Sequence, residues 1–120
     1  MSVATCVLRA SGRRFAAKRY LATSTLVTVL IEPHAFEFVV CETVADDHDA
    51  ILADAERFLS SPLLDLTRLF SFPGVERVAL VFRVACKARS FAVPARLCAA
   101  LGKHGLALEI VPTDYTRQVL

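Results

Sequence analysis

The fold is decided by residues 77–87, which read RVALVFRVACK. One face of this predicted strand carries Val78, Leu80, Phe82, Val84 and Cys86, and the other carries Ala79, Val81, Arg83, Ala85 and Lys87. Side chains of a strand point alternately to opposite faces, so the first set predicts a packed face and the second a half-covered one. Such a strand is typical of an open, mostly antiparallel sheet with helices on one side.

Helices are predicted before and after this strand in the sequence, within the stretch from Asp46 to Ile110. Acidic residues 46–49 predict an N-cap and a first helical turn, followed by apolar residues at helical spacing as far as Leu59. Pro62 predicts the start of a second helix. Its buried stripe is predicted to contain Leu63, Leu66, Leu69 and Phe70.

The C-terminal part predicts a third helix and a closing strand. Pro94 suits the start of the helix, and Gly102 and Gly105 both permit the left-handed backbone that ends helices. Apolar residues then alternate over residues 106–110, which predicts a strand that Pro112 ends.

The N-terminal part predicts a strand, a helix and a hairpin. The strand covers Val3–Ala10 and the helix covers Phe15–Leu21. Leu26–Ile31 and Phe36–Thr43 predict two strands joined by a turn. The complete order is β-α-β-β-α(α)-β-α-β. Its first six elements match the ferredoxin-like split βαβ sandwich, so we expect an α+β fold of that plan with an extra αβ unit.

Length and composition predict one domain over residues 1–120, with a loosely held tail from residue 113. The chain is 55% hydrophobic, and its longest apolar runs are far shorter than the roughly 18–20 residues that span a bilayer. The N-terminus lacks the charged start and the apolar core of a signal peptide. We therefore expect a cytoplasmic protein that does not associate with membranes.

Cysteines and histidines predict neither a metal site nor a cofactor. The four cysteines are Cys6, Cys41, Cys86 and Cys98, and no two of them form a C-x-x-C pair. We expect them to be reduced thiols that pack as small hydrophobic groups. His34, His48 and His104 have no recognisable ligand spacing.

Charge is distributed unevenly along the chain. Residues 1–31 carry five basic and no acidic residues, residues 32–65 carry nine acidic residues and one basic residue, and residues 66–120 carry eight basic and three acidic residues. This asymmetry predicts a polarised surface, suited to a charged partner or to self-association, unless the charges pair within the molecule.

Two groups of residues are candidates for binding. Ser11, Gly12, Arg13 and Arg14 form a basic turn near a predicted helix start, where an anion could bind, but a solvated basic turn is the favoured explanation because no glycine-rich phosphate-binding pattern surrounds it. Val81 and Arg83 lie on the half-covered strand face, which predicts an interaction face. That face lacks the exposed aromatic residues with which ferredoxin-like sheets bind RNA, so we do not expect nucleic acid as a partner.

Several segments resemble a family of small bacterial domains of unknown function. They are residues 11–15 (SGRRF), 60–64 (SSPLL), 72–74 (FPG), 90–94 (SFAVP) and Tyr115. The resemblance implies a ferredoxin-like α+β fold and no catalytic residues, and some members of the family are linked to toxin-immunity pairs. Many members carry a tryptophan after the first helix, which this chain lacks.

The function predicted from these observations is a non-enzymatic protein-interaction module whose partner is another protein or a second copy of the chain, and the resemblance implies the immunity type as one form of it. The alternative is a regulatory domain that binds a small anionic ligand at Ser11–Arg14 and acts as a homodimer. A cryptic enzyme is the third hypothesis, but no nucleophile with a general base can be named, and no catalytic or phosphate-binding signature occurs.

Overall fold

The computed structural model describes residues 3–22, 30–44, 48–60, 66–85 and 92–113. Within these ranges the chain is an α+β protein with a five-stranded mixed sheet. Its elements are β1 (Val3–Ser11), α1 (Ala17–Ala22), β2 (Leu30–Glu32), β3 (Ala35–Val44), α2 (His48–Leu59), α3 (Leu66–Phe70), β4 (Arg77–Ala85), α4 (Ala95–His104) and β5 (Ala107–Thr113).

The strands lie in the order β2-β3-β1-β4-β5. The pairs β2–β3, β3–β1 and β1–β4 are antiparallel, whereas β4 and β5 are parallel. A parallel pair needs a crossover connection, which α4 supplies between these two strands. Pro33 and His34 alone separate β2 from β3, so these strands form the predicted hairpin with a two-residue loop.

All four described helices pack against the same face of the sheet. Alternate residues of β1 and β4 on that face form one core cluster with residues of every helix. The largest side chains that are almost completely buried are Phe15, Phe36, Phe82, Leu8, Ile51, Leu69, Leu80 and Leu97. The helices therefore form one layer on the sheet and leave its opposite face, here called the open face, without a described helix.

A β-bulge in β3 changes which side chains face the core. Cys6 is paired with Cys41, but the next residue of β1, Val7, is paired with Val39, so Val40 is the extra residue. Both Val40 and Cys41 pack against the main core cluster. The bulge thus places Cys41 on the same side of the sheet as Cys6.

Most of the predicted elements are present, with several differences in detail. The helix predicted from Phe15 begins at Ala17. Phe70 was predicted to be buried, but its exposure is 38%, whereas Leu69 is fully buried. Neighbouring residues of a helix point about 100° apart, and α3 contains only five residues, so a single side of it reaches the core. Leu63 lies outside the described residues.

The end of the sheet also differs from prediction, because Pro112 lies within β5 instead of ending it. Proline has no N–H group to donate to a neighbouring strand, and β5 tolerates it because an edge strand has a neighbour on one side only. The residues that would continue the predicted strand after Ala85, and the tail from residue 114, lie outside the described ranges. No described helix is long and apolar enough to cross a membrane.

Candidate functional site

The open face has a small apolar centre that is shielded from water. Val7, Ala79 and Val81 are only 2%, 1% and 1% exposed, and Val39 and Ala107 pack against them. No described helix covers this face, and charged side chains on all five strands lie around the cluster.

Glu37 on β3 lies at the centre of these side chains and accepts hydrogen bonds from two of them. Arg83 donates two hydrogen bonds to its carboxylate, from Nη1 to Oε1 at 3.0 Å and from Nη2 to Oε2 at 2.8 Å. Arg9 donates a third, from Nη1 to Oε2, at 2.9 Å. The two hydrogen bonds from Arg83, followed by the bond from Arg9, hold the pKa of Glu37 below its usual value even though its burial acts in the opposite direction.

The ion pairs continue to both edges of the sheet. Arg9 Nη2 lies 3.7 Å from Glu32 Oε2 on β2, and Arg77 Nη2 on β4 lies 2.9 Å from Glu109 Oε1 on β5. Glu109 also contributes, after the hydrogen bonds to Glu37, to raising the pKa of Arg83. The open-face network therefore spans five strands without net charge. It consists of Glu32, Arg9, Glu37, Arg83, Glu109 and Arg77.

This network contributes to the burial of the valines on the open face. Strand β1 lies between β3 and β4, so the bonds from Arg83 to Glu37 cross above β1 next to Val7. Arginine side chains commonly lay their apolar stems along apolar surface while the guanidinium reaches a polar partner. Val81 is thus enclosed within its own chain, and of the two residues predicted as an interaction face only Arg83 has an accessible side chain, with 38% of its surface exposed.

Two glycine turns meet at the end of the sheet where β1 ends and β4 begins. A Cβ atom on Gly12 would lie 1.9 Å from the carbonyl oxygen of Gly74, and one on Gly74 would lie 2.4 Å from the carbonyl oxygen of Arg14. The N–H of Glu76 donates to the carbonyl of Ser11 at 2.9 Å. These contacts hold the Ser11–Arg14 turn against the residues that precede β4.

The Ser11–Arg14 turn already binds a carboxylate of the same chain, that of Glu76. The N–H of Arg13 donates to Oε1 of Glu76 at 2.6 Å, and the N–H of Gly12 donates to the carbonyl of His34 at 3.2 Å. The predicted anion role of these two backbone amides is therefore filled from within the chain. What the turn offers to an external anion is its side chains, of which that of Arg13 is 93% exposed.

A shallow depression of about 520 Å³ lies beside this turn. Its lining includes Ser11, Gly12, Arg13, His34, Arg9 and Arg77. Arg9 and Arg77 also belong to the open-face network, so the depression adjoins that network, although neither Val81 nor Arg83 lines it. His34 donates from Nδ1 to the carbonyl of Phe15 at 3.1 Å, so this ring nitrogen carries a proton.

Arg13 lines the depression, and further basic side chains follow it along the chain in the turn and on α1. We call Arg13, Arg14, Lys18 and Arg19 the basic rim; all four are exposed. Among the residues that the structure describes, no carboxylate forms an ion pair with Arg14, Lys18 or Arg19. Arg13 approaches Glu76 at 3.8 Å through Nε. The positive charges of Arg14, Lys18 and Arg19 are therefore available to a partner.

The acidic middle segment is partly neutralised within the molecule. Glu32 and Glu37 pair with Arg9 from the N-terminal segment, and Glu37 also pairs with Arg83 from the C-terminal one. Asp54 pairs with Arg57 in the same helix at 2.6 Å. Within the described ranges, no group of three or more histidine, cysteine, aspartate or glutamate side chains could hold a metal ion.

Compared with known protein families, curated proteins and solved structures, the chain matches none.

Proposed function

We propose that this chain is a non-enzymatic protein-interaction module that binds an acidic segment of a partner protein at the basic rim. The observation that carries the proposal is the cluster of exposed, largely unpaired cations at the rim, which contrasts with the neutralised open-face network beside it. Exposed charges of one sign steer an oppositely charged partner and add attraction on contact. Toxin-immunity pairing, which the family resemblance implies for some members, is one form of this function.

An acidic protein surface suits the rim better than nucleic acid does. Proteins that bind single strands combine basic grooves with aromatic side chains on which bases stack. Among the described residues, the open face and the rim carry no exposed aromatic side chain, and the net charge of the whole chain is only +2. Carboxylates require only guanidinium and ammonium groups, which the rim supplies.

The proposed fold is the ferredoxin-like split βαβ plan with one αβ unit appended. Support comes from the order β2-β3-β1-β4, from the antiparallel pairing of these strands, and from the positions of α1 and α2 between β1 and β2 and between β3 and β4. The parallel strand β5, which follows α4, is then the addition.

Reversing charge in the rim should abolish most binding of an acidic peptide. We expect Arg13→Glu combined with Arg14→Glu to weaken the affinity for a fluorescein-labelled polyglutamate peptide at least about tenfold, because two attractions become repulsions. Fluorescence anisotropy at low and at physiological salt measures this change. The control is Arg96→Glu combined with Arg57→Glu. It reverses the charge of two exposed arginines on the helices α4 and α2, and we expect it to have a much smaller effect.

Equal affinities of the rim variant and the parent protein would reject the proposal. Tighter binding of a labelled single-stranded oligonucleotide than of the peptide would instead assign the rim to nucleic acid. Light scattering on the same samples tests whether the partner is a second copy of the chain. A parent protein and a control variant that are dimeric, with a rim variant that is monomeric, would identify self-association through the rim.

A small anionic ligand is the second candidate, and the depression beside the rim favours it. The three arginines that line the depression, Arg9, Arg13 and Arg77, already have carboxylate partners. A ligand must therefore displace a glutamate or bind in addition to it. A thermal-shift screen with phosphate, citrate and nucleotides tests this candidate. A rise in melting temperature that Arg13→Ala removes would support ligand binding.

A further inference from the structure

Cys6 and Cys41 form a pair of thiols that the sequence does not reveal. They lie directly opposite each other on the antiparallel strands β1 and β3, and both contact the main core cluster. Opposed residues of such strands have Cα atoms about 4.5–5.5 Å apart, which is within the range of about 4.4–6.8 Å that a disulfide bridges. Both thiols are free.

The two cysteines differ in their access to solvent. Cys6 is completely buried, whereas Cys41 is partly exposed and lines a surface cavity of about 410 Å³. Asp54, Arg57 and Phe58 of α2 line the same cavity together with Val40. A small reagent can therefore approach Cys41 from solvent, whereas Cys6 has no exposed surface and does not line this cavity.

The environment also makes the two sulfur atoms chemically different. The hydrogen bond with Cys6 lowers the pKa of Cys41, and Arg57 acts in the same direction, although burial and Asp54 oppose it. The hydrogen bond with Cys41 and then burial raise the pKa of Cys6. In the protonated state Cys41 donates to the carbonyl of Ile51 at 3.7 Å. Cys41 is therefore the thiol that loses its proton first, and Cys6 keeps its own.

We propose that Cys41 is a site of oxidation by hydroperoxides and that Cys6 is its resolving thiol, so that oxidation yields a disulfide between β1 and β3. The proposal rests on the opposed positions of the two cysteines and on the cavity that exposes only one of them. It does not depend on the protein-binding function of the basic rim.

The chemistry proceeds in two balanced steps. The thiolate of Cys41 attacks the hydroxyl-bearing oxygen of the hydroperoxide, the O–O bond breaks, and the departing alkoxide takes up a proton to become an alcohol, or water when the oxidant is hydrogen peroxide. Cys41 is then a sulfenic acid. The sulfur of Cys6 displaces its hydroxyl group as water, so the two thiols together lose two electrons and two protons. A dithiol reductant reverses the change.

Cys98 supplies an internal comparison. It is an exposed free cysteine on α4, so it is at least as accessible as Cys41, but its position on a separate helix provides no opposed thiol across a strand pair. If exposure alone determined oxidation, Cys98 would react faster than Cys41.

The test is oxidation of the full chain by hydrogen peroxide, followed by alkylation of the remaining thiols and peptide mass spectrometry. We expect Cys41 to lose its thiol several-fold faster than Cys98 and a disulfide-linked peptide pair containing Cys6 and Cys41 to appear. Cys6→Ser should abolish this product and let a sulfenic acid accumulate at Cys41, where dimedone traps it. Cys41→Ser should leave Cys6 unreacted, and Cys98→Ser should behave like the parent protein.

A second measurement does not depend on the folding of the variants. The parent chain is oxidised once folded and once unfolded in urea, and only the folded chain should favour the Cys6–Cys41 product over other cysteine pairs. Oxidation of Cys98 ahead of Cys41, or a folded chain without the Cys6–Cys41 product, would overturn the proposal.

Discussion

Replacing Gly74 by alanine is expected to lower the free energy of unfolding by about 3 kcal/mol. The φ angle of Gly74 is +89°, a region that residues with a side chain rarely adopt. A Cβ atom there would also lie 2.4 Å from the carbonyl oxygen of Arg14, which is a backbone atom and cannot rotate away. The two turns must separate, and the hydrogen bond from the N–H of Glu76 to the carbonyl of Ser11 weakens with them. Urea denaturation measures the loss.

Gly102 provides the matched control, because a Cβ atom there meets nothing within 4 Å and the residue lies inside α4. Gly102→Ala should raise the stability by about 0.5–1 kcal/mol, through the higher helix propensity of alanine. Gly12→Ala should resemble Gly74→Ala, and the double variant should cost less than the sum, since either change forces the same two turns apart. Equal effects at Gly74 and Gly102 would show that the turns are not in close contact.

Local patterns predicted the elements well because their causes are local. Alternation over residues 77–85 identified β4 and its core face, since side chains of a strand alternate wherever the strand is placed. On the other face, Ala79 and Val81 were predicted to be half-covered but are each only 1% exposed. Gly105 was one of two glycines predicted to end the helix that follows Pro94, which is α4, and its φ of 69° at the C-cap agrees with that prediction. Gly102, the other, lies within the helix, because a glycine permits a left-handed backbone without requiring one.

The candidate site depends on contacts between distant segments, which local patterns do not contain. Gly12 and Gly74 each read as an ordinary turn glycine, and only the pairing of β1 with β4 places them together. Cys41 lies opposite Cys6 because of the register between β1 and β3. That register changes at a bulge, which the residues around Val40 do not predict. The third contact, between Glu37 and the two arginines, did leave a trace in the sequence.

That trace is the position of Glu37 between Phe36 and Phe38. A carboxylate that alternates with buried aromatic residues lies on the opposite face of its strand. Arg9 and Arg83 occupy the corresponding face of the other two central strands, so a charged group across the open face could have been predicted. The nearly complete burial of Glu37 could not have been predicted, because an exposure of 4% requires that Arg9 and Arg83 reach its carboxylate at the same time.

Removing the charge of Glu37 is expected to lower the free energy of unfolding by about 2 kcal/mol at neutral pH. Glu37→Gln preserves the shape of the side chain but leaves Arg9 and Arg83 without a carboxylate, and its amide group directs N–H bonds at a guanidinium. The cost stays below that of a completely buried pair because the side chains of Arg9 and Arg83 are 29% and 38% exposed. Glu42→Gln is the control, since Glu42 is an exposed glutamate on the same strand, and its effect should be within about 0.5 kcal/mol.

The pH dependence of this difference separates charge from shape. The pKa of Glu37 in the folded protein lies below its ordinary value of 4.5, so the folded state holds this proton less tightly than the unfolded state does. The stabilisation is therefore complete above the ordinary value and is lost as the pH falls through the lower folded pKa. Urea denaturation of the parent and of Glu37→Gln should show a constant gap at neutral pH that narrows in acid. A gap of the same size throughout would mean that hydrogen-bond geometry, and not the ionised carboxylate, holds the open-face network together.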